Sequence, residues 1–243
     1  MADLSQRQKD LLRAIIEKYV ETAEPIGSEV IEKEAGLGVS PATIRNEMVK
    51  LTKAGYLKQT HTSAGRTPTS IAIKFYISEL MREKELSVKD EAFLKEQLWD
   101  YRYEFDHLLR QATRALANQT RSLALATTKQ GSIYSSGMAN ILDIPEFYDI
   151  DLTKTVLSML DSFEMLDQLF SRAMGEEPIH VLLGDEVGFE YLEPCGFVFT
   201  QYDAGPKHQG TIGVIGPNRL HYPTVIPAVR YIGNLINQIS RSW

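Results

Sequence analysis

The chain has 243 residues, which is enough for one large or two modest domains. Apolar residues make up 43% and charged residues 24%, so collagen-like and wholly disordered chains are excluded. The single cysteine, Cys195, excludes an intrachain disulfide and a zinc cluster built from cysteines. The sequence shows neither a signal peptide nor a stretch of roughly 18 apolar residues, so we expect a cytoplasmic protein that does not enter a membrane.

The net charge of −6 argues against a nucleic-acid partner, but the charge is distributed unevenly. Residues 40–75 contain one anion, Glu47. The cations of the same stretch are Arg45, Lys50, Lys53, Lys58, Arg66 and Lys74. A basic block on an acidic chain is typical of a DNA-binding surface or of a simple solvated face. Charge alone leaves both interpretations open.

Three short helices are predicted in the first third of the chain. Apolar residues between Leu4 and Val20 recur at helical spacing, and a second helix is predicted over residues 28–35. The third helix is predicted to start with Ser40 as its N-cap and Pro41 in its first turn. A glycine-containing turn before a third short helix is typical of a helix-turn-helix.

A strand pair is predicted after the third helix, at residues 56–60 and 66–68, and such a pair forms the wing of a winged helix-turn-helix. In that fold the third helix enters the major groove. Arg45 then reads a guanine edge and Asn46 an adenine edge. The predicted phosphate and wing contacts are Ser40, Thr43, Lys50, Lys58, His61, Thr62, Ser63 and Arg66, with Arg66 at the wing tip. The alternative is a helical module that binds another protein.

Several runs carry a resemblance to a known family. They are LSQRQK at 4–9, EPIGS at 24–28, LGVSPATIRNEM at 37–48 and HTSAGRTPT at 61–69. The chain resembles the HrcA family of bacterial heat-inducible transcription repressors. The resemblance implies a winged-helix repressor of chaperone operons that binds an inverted-repeat operator as a homodimer. It also implies that the GroE chaperonin keeps the repressor competent for DNA.

A long helix is predicted from Val88, because no Gly or Pro interrupts residues 87–130. Its apolar residues form a heptad seam, which predicts pairing with a second copy. The predicted dimerisation residues are Leu94, Leu98, Tyr101, Phe105 and Leu108. The alternative is a helix buried against the rest of its own chain. The predicted division is a winged-helix domain (1–84), a helical linker and dimerisation region (85–130) and a C-terminal domain (131–243).

The C-terminal region is predicted to be α+β, with strands near 133–137, 179–184, 196–202 and 210–215 and a final helix from Pro223. The runs GMANIL at 137–142, LGDE at 183–186 and GTIGVIGPNRLHY at 210–222 resemble the GAF-like domain of the same family. Members of the family are longer, and the missing stretch is placed between residues 125–127 and 133–134. The resemblance therefore implies a reduced GAF-like domain, in which a helix leads directly into a late strand.

Motifs of known chemistry are absent from the sequence, since it contains no Walker A run, GxSxG elbow, HExxH or CxxC. The histidines are scattered, at 61, 107, 180, 208 and 221. We therefore expect no catalytic residue, no metal site, no cofactor and no enzymatic activity. A ligand-sensing transcription factor, with a small-molecule site in the GAF-like domain, is the alternative to a pure repressor; that alternative is based on fold analogy.

Overall fold

The computed structural model describes residues 4–59, 65–173, 175, 177–206 and 208–240. The chain divides into two compact units, Met1–Arg82 and Glu83–Trp243. They are called the N-terminal unit and the C-terminal unit below, and each has its own buried apolar core.

The N-terminal unit consists of helices and one small strand pair. Its helices are α1 (Gln6–Thr22), α2 (Ser28–Ala35), α3 (Pro41–Lys53) and α4 (Ser70–Phe75), and α4 continues as a π-helical segment at Tyr76–Leu80. The strands β1 (Leu57–Lys58) and β2 (Thr67–Pro68) lie between α3 and α4 and pair antiparallel. The order of three helices followed by a strand pair is the one that the sequence predicts.

Short polar residues determine where these helices begin. The Ser5 hydroxyl accepts from the backbone N–H of Gln8, and the Gln8 side chain accepts from the Ser5 N–H, which completes a capping box before α1. Ser40 accepts from the N–H of Thr43 at 3.3 Å, and Pro41 occupies the first turn of α3, where no partner for an N–H is lost.

The core of the N-terminal unit is formed where the apolar stripes of its helices meet. Fully or nearly fully buried members are Leu11, Leu12, Ile15 and Ile16 from α1, Ile31 from α2, Ile44, Met48 and Leu51 from α3, and Tyr56 and Leu57 after it. The stripe on α3 has the spacing i, i+4, i+7, which keeps one face of the helix inward. The opposite face is thereby directed away from the core.

The C-terminal unit is an α+β structure around one antiparallel sheet. Its helices are α5 (Val88–Trp99), α6 (Phe105–Thr120), α7 (Met138–Leu142), α8 (Ile150–Met159), α9 (Phe163–Ser171), α10 (Gly184–Val187) and α11 (Tyr222–Ser240), with a 3₁₀ turn at Pro145–Tyr148. Its strands are β3 (Leu123–Thr128), β4 (Ile133–Ser136), β5 (His180–Leu183), β6 (Cys195–Asp203) and β7 (Gln209–Pro217).

The strand order is β4-β3-β7-β6-β5, so β7 is the central strand and is hydrogen-bonded on both edges. Gly213 in β7 pairs with Leu125 on one side and with Phe199 on the other. Leu125 and Phe199 belong to a core cluster that also contains residues of α7, α8 and α9. The alternate strand residues point to the other face, where α6 and α11 contact β3 and β6.

The structure corrects the prediction of one long helix over residues 88–130. Helix α5 ends at Trp99, and residues 100–104 form a turn before α6 begins at Phe105. Helix α6 is then terminated by Arg121, which adopts a left-handed conformation with φ of 50°, and β3 follows. Neither break has the Gly or Pro that marks a helix end in a sequence, so the heptad spacing alone predicts a continuous helix.

The heptad seam is consequently not one surface on one helix. Leu94 and Leu98 lie on α5 and Leu108 on α6, and all three are buried within the C-terminal unit itself. Tyr101 and Phe105 are partly exposed, and the Phe105 ring contacts the rings of Tyr202 and His208. These leucines therefore follow the alternative stated above, in which the helix is buried against the rest of its own chain.

The expected passage from a helix directly into a late strand is also wrong. Strand β3 pairs with β4 through the turn at 128–132 and with β7 on its other edge. The turn is closed by hydrogen bonds from the Thr128 N–H to the Ser132 carbonyl and from the Gly131 N–H to the Thr128 carbonyl, both 3.0 Å. The segment thus supplies an inner strand and an edge strand of the sheet.

We predict that Leu98→Ala lowers the free energy of unfolding of the C-terminal unit by about 2–4 kcal/mol, because it removes a fully buried side chain. Phe93→Ala on the same helix is the matched control and should cost within about 0.5 kcal/mol, because Phe93 is 58% exposed. Urea unfolding followed by Trp99 fluorescence measures both. An equal loss in the two variants would contradict the observed packing of α5.

Candidate nucleic-acid interface

The outward face of α3 is the most distinctive surface of the N-terminal unit. Arg45 and Asn46 are both exposed there, opposite the buried face formed by Ile44, Met48 and Leu51. Helical geometry places these two side chains side by side, near the N-terminal end of the helix. Arginine and asparagine are the side chains that bond guanine and adenine edges, respectively.

Three further residues complete this face, and none of them is among the base and phosphate contacts predicted from the sequence, although Lys53 belongs to the basic block. Ala42, Val49 and Lys53 are exposed and lie at helical spacing from Arg45 and Asn46. Val49 is 36% exposed and gives the middle of the face an apolar spot, which suits a thymine methyl group. The spacing 42, 45, 46, 49, 53 is visible in the sequence, so a helical projection of α3 identifies them.

Ser40 and Thr43 lie at the start of α3, as predicted, and are engaged with each other. Their hydroxyl oxygens are 3.1 Å apart, and Ser40 also caps the Thr43 N–H. Ser40 is exposed and Thr43 is partly exposed. The two hydroxyls therefore lie at the end of the helix where unpaired N–H groups attract an anion.

Lys50 is on the edge of α3 that turns toward α1. Its Nζ lies 2.8 Å from Oε1 of Glu47, and the Gln8 side chain donates to the other Glu47 oxygen at 3.1 Å. The ammonium of Lys50 and the amide of Gln8 lower the pKa of the Glu47 carboxyl. The sequence shows the pair at i, i+3, but the contribution of Gln8 depends on how α1 packs on α3.

Lys58 is exposed on β1, and its backbone partner in the strand pair is Thr67 on β2. The predicted contacts His61, Thr62 and Ser63 lie outside the described residues. Lys58 is the last residue of β1, and its side chain is exposed to solvent.

Arg66, which the sequence prediction places at the wing tip, directly precedes β2 and is bonded to two neighbouring segments. Its backbone N–H donates to the Ile26 carbonyl at 2.8 Å, and its carbonyl accepts from the Ile26 N–H at 2.9 Å. Its Nε donates to the Thr52 hydroxyl at 3.0 Å, and that hydroxyl donates to the Met48 carbonyl. Arg66 thus ties the return strand to the C-terminal end of α3.

Among the described residues there is no cluster of three or more His, Cys, Asp or Glu side chains suited to a metal ion. Burial raises the pKa of the Cys195 thiol to about 12, so the thiolate is strongly disfavoured. Desolvation lowers the pKa of His180 on β5. In the part of the chain that is described, no helix is long and apolar enough to cross a bilayer.

A small helical unit that presents arginine, asparagine and lysine on one exposed helix, joined to a separate α+β unit, is an arrangement typical of transcription regulators. The HrcA protein C-terminal domain model matches residues 44–226 of this chain. The chain therefore belongs to the HrcA family, whose named relatives are transcription repressors and not enzymes.

Two relatives illustrate the match. The heat-inducible transcription repressor HrcA of Pelotomaculum thermopropionicum is 26% identical over 336 aligned positions, covering 97% of this chain and 97% of the relative. The repressor of the same name from Symbiobacterium thermophilum is 26% identical over 338 positions, covering 98% and 99%. Both alignments are longer than the 243 residues of this chain, so each contains positions with no residue here.

A solved structure shares the fold. It is described as the crystal structure of a hypothetical protein at 2.2 Å resolution, and it superposes with a TM-score of 0.80 at 19% identity. The superposition covers 99% of this chain and 99% of that chain. At this identity the match concerns the fold alone.

We predict that the Glu47 carboxyl titrates below the ordinary glutamate pKa of 4.5, because Lys50 and Gln8 favour its charged form. A depressed folded pKa means that the ion pair stabilises the N-terminal unit at neutral pH and that this stabilisation is lost as the pH falls through the folded value. An NMR titration of the side-chain carboxyl carbons measures the midpoint. Lys50→Ala should return it toward 4.5; an unchanged midpoint would contradict the geometry.

Proposed function

We propose that the chain is a sequence-specific DNA-binding repressor that acts in the cytoplasm as a homodimer on an inverted-repeat operator of heat-shock chaperone operons. In this proposal the N-terminal unit is a winged helix, with α3 as the recognition helix and β1–β2 as the base of the wing. The C-terminal unit is a reduced GAF-like domain. The observation that carries the proposal is the division of α3 into a buried apolar face and an exposed face bearing Arg45 and Asn46.

Base recognition is assigned to the exposed face of α3. Arg45 bonds the O6 and N7 atoms of a guanine, and Asn46 bonds the N6 and N7 atoms of an adenine. Val49, which is 36% exposed, lies next to them on the same face of α3. There it contacts a thymine methyl group. These three side chains determine sequence preference, since phosphate contacts carry no direct sequence information.

Phosphate binding is assigned to the two ends of this face. At the N-terminal end, Ser40 and Thr43 add hydroxyl donors to the N–H groups of the helix terminus. Exposed Lys53 and Lys58 supply charge on the other side. Lys50 contributes less than an unpaired lysine, because its ammonium is already neutralised by Glu47. Arg66 is assigned a positioning role: through its bond to Thr52 it holds the return strand, and it is not counted among the phosphate contacts.

Repression then requires no chemistry, because a bound dimer excludes RNA polymerase from the promoter. An inverted repeat matches the two-fold symmetry of a homodimer, and the two half-sites are read by two copies of α3. The family resemblance adds the GroE chaperonin as the partner that maintains the DNA-binding form. Purified GroE added during refolding tests that role through the fraction of repressor that binds operator.

A second candidate function, ligand sensing, has one observation in its favour. A cleft of about 480 Å³ in the C-terminal unit is lined by Phe163, Phe170 and polar side chains from β6, β7 and α11. Its polar groups already bond one another: Lys129 Nζ donates to Gln209 at 2.6 Å, and Gln209 donates to Asp203 at 2.9 Å. Thermal stabilisation by a metabolite that Lys129→Ala abolishes is the result that would favour this candidate.

We predict that Arg45→Ala weakens operator binding by about 1–3 kcal/mol and removes the preference at one base pair, because one bidentate base contact is lost. Fluorescence anisotropy with an inverted-repeat duplex and a scrambled duplex of equal length measures the ratio of the two affinities. Arg45→Lys keeps the charge and serves as the matched variant; it should bind the scrambled duplex like the original chain. An unchanged affinity ratio in Arg45→Ala would refute the assignment of α3.

We predict that Lys58→Ala weakens binding to operator and scrambled DNA alike and reduces the slope of log K against log salt by about one, because one phosphate contact is lost. The same anisotropy assay at several salt concentrations measures the slope. Lys154→Ala, which removes an exposed lysine from α8 in the C-terminal unit, is the control and should leave it unchanged. Equal slopes for all three proteins would exclude Lys58 from the interface.

A further inference from the structure

One end of the sheet in the C-terminal unit forms a polar cleft next to α9. On the sheet face that carries Leu125 and Phe199, the side chains belong to the apolar core cluster. Two residues further along the same strands, the positions that point in the same direction are occupied by Thr127 and Gln201. Both line a cleft of about 480 Å³, whose other wall is formed by residues of α9. The sheet face therefore changes from apolar to polar where the cleft begins.

Two buried hydroxyl groups form part of the cleft wall. Thr127 on β3 is directly opposite Thr211 on β7, and Gln201 on β6 is opposite Thr211 on its other edge, so the three side chains form one row on the same face. Thr127 is 4% exposed and Thr211 is 7% exposed, and both line the cleft. No described residue forms a hydrogen bond with either hydroxyl. Because a buried hydroxyl without a hydrogen bond is unfavourable, these two groups are available to the polar atoms of a ligand.

Charged side chains at the mouth of the cleft have no ionic partner among the described residues. They are Lys129, Asp167 and Asp203, and all three are exposed. Lys129 donates to the neutral amide oxygen of Gln209 at 2.6 Å, and Asp203 accepts from the amide nitrogen of Gln209 at 2.9 Å. Gln209 thus bridges a cation and an anion that form no salt bridge with each other. The described residues at the mouth offer one ammonium and two carboxylates to a ligand.

Helix α9 gives the opposite wall of the cleft an aromatic surface. Phe163 and Phe170 both line the cleft, because their spacing along α9 places them on one face of the helix. The ring centre of Phe170 lies 4.7 Å from that of Phe199, so this ring is held by the core. Phe163 is partly exposed, and part of its ring is open to the cleft. The face of an aromatic ring carries partial negative charge and attracts the C–H groups of a saturated ring or chain.

We propose that this cleft binds an uncharged molecule with several hydroxyl groups, namely a sugar or a polyol. The inference rests on the second candidate function, ligand sensing, and names the class of ligand. A hydroxyl group both donates and accepts hydrogen bonds, so it can bond a carboxylate, an ammonium or the hydroxyl of Thr127 or Thr211. The C–H groups of the same molecule pack on the Phe163 ring. The volume of about 480 Å³ lies within the usual range of small-molecule sites, roughly 300–1,000 Å³.

The charges of the cleft favour a neutral ligand over a charged one. An anion such as a sugar phosphate would be repelled by Asp167 and Asp203, and a cation such as a polyamine would be repelled by Lys129. A free amino acid carries both charges. Its charged groups would compete with the existing bridge through Gln209, which already bonds Lys129 and Asp203. A neutral hydroxyl adds to that bridge without breaking it, because the Lys129 ammonium and the Asp203 carboxylate each have further bonding capacity.

The test is isothermal titration calorimetry of the full-length chain with D-glucose, D-galactose, maltose, trehalose, D-sorbitol and myo-inositol. At least one of them should bind with a Kd of about 1 mM or lower. Thr211→Val removes a buried hydroxyl at nearly constant shape and should raise that Kd about two- to tenfold. Lys129→Ala changes an exposed side chain, which leaves the fold intact, and should raise the Kd as well. Thr155→Val and Lys154→Ala make the same changes on α8, outside the cleft, and should leave the Kd unchanged.

Three results would overturn this inference: no member of the panel binds, D-glucose 6-phosphate, spermidine or L-phenylalanine binds while no neutral sugar does, or the tightest sugar binds Thr211→Val and Lys129→Ala as it binds the original chain. An operator titration with and without that sugar separates the inference from ligand sensing. Sugar binding that the cleft variants weaken, with an unchanged operator affinity, supports the cleft and refutes ligand sensing. A sugar effect on operator affinity that is equal in the original chain and both cleft variants supports ligand sensing and refutes this cleft as the site.

Discussion

The pairing of β3 with β7 is the constraint on which the C-terminal unit depends. Six residues of β3, all buried, pair with β7 on one edge, while β4 occupies the other edge. This pairing joins the middle of the chain to its last strand. Because the connection from α6 to β3 is short, α6 packs against the sheet. Helix α5 in turn packs on α6 and α11. A segment that would otherwise connect two domains becomes part of one of them.

The N-terminal unit is largely predictable from the sequence because its determinants are local. Ser40 and Pro41 mark the start of α3, and the apolar spacing of Ile44, Met48 and Leu51 identifies its inner face. The outward direction of Arg45 and Asn46 follows from that spacing. The position of Arg66 is not predictable in this way, because it depends on a bond to Thr52 and a backbone bridge to Ile26, both made by residues distant in sequence.

The region around residues 88–130 shows the limit of periodicity as evidence. Apolar residues at alternating steps of three and four indicate a helical face, but they do not indicate whether that face meets a partner or its own chain. Leu98 and Trp99 are neighbours in sequence, yet Leu98 is buried and Trp99 is exposed. The three-dimensional packing decides which of them is covered, since α6 and α11 contact α5 from the side that carries Leu98.

The return strand of the N-terminal unit is held against its neighbours before any partner arrives. Arg66 is bonded to Ile26 through the backbone and to Thr52 through its side chain. At Gly65 even a single added carbon would approach the Ile26 backbone to 2.5 Å. Gly65 and Arg66 therefore have little conformational entropy left to lose when a complex forms. The affinity of such a complex is then determined by the contacts formed, because little free energy is spent on ordering the strand.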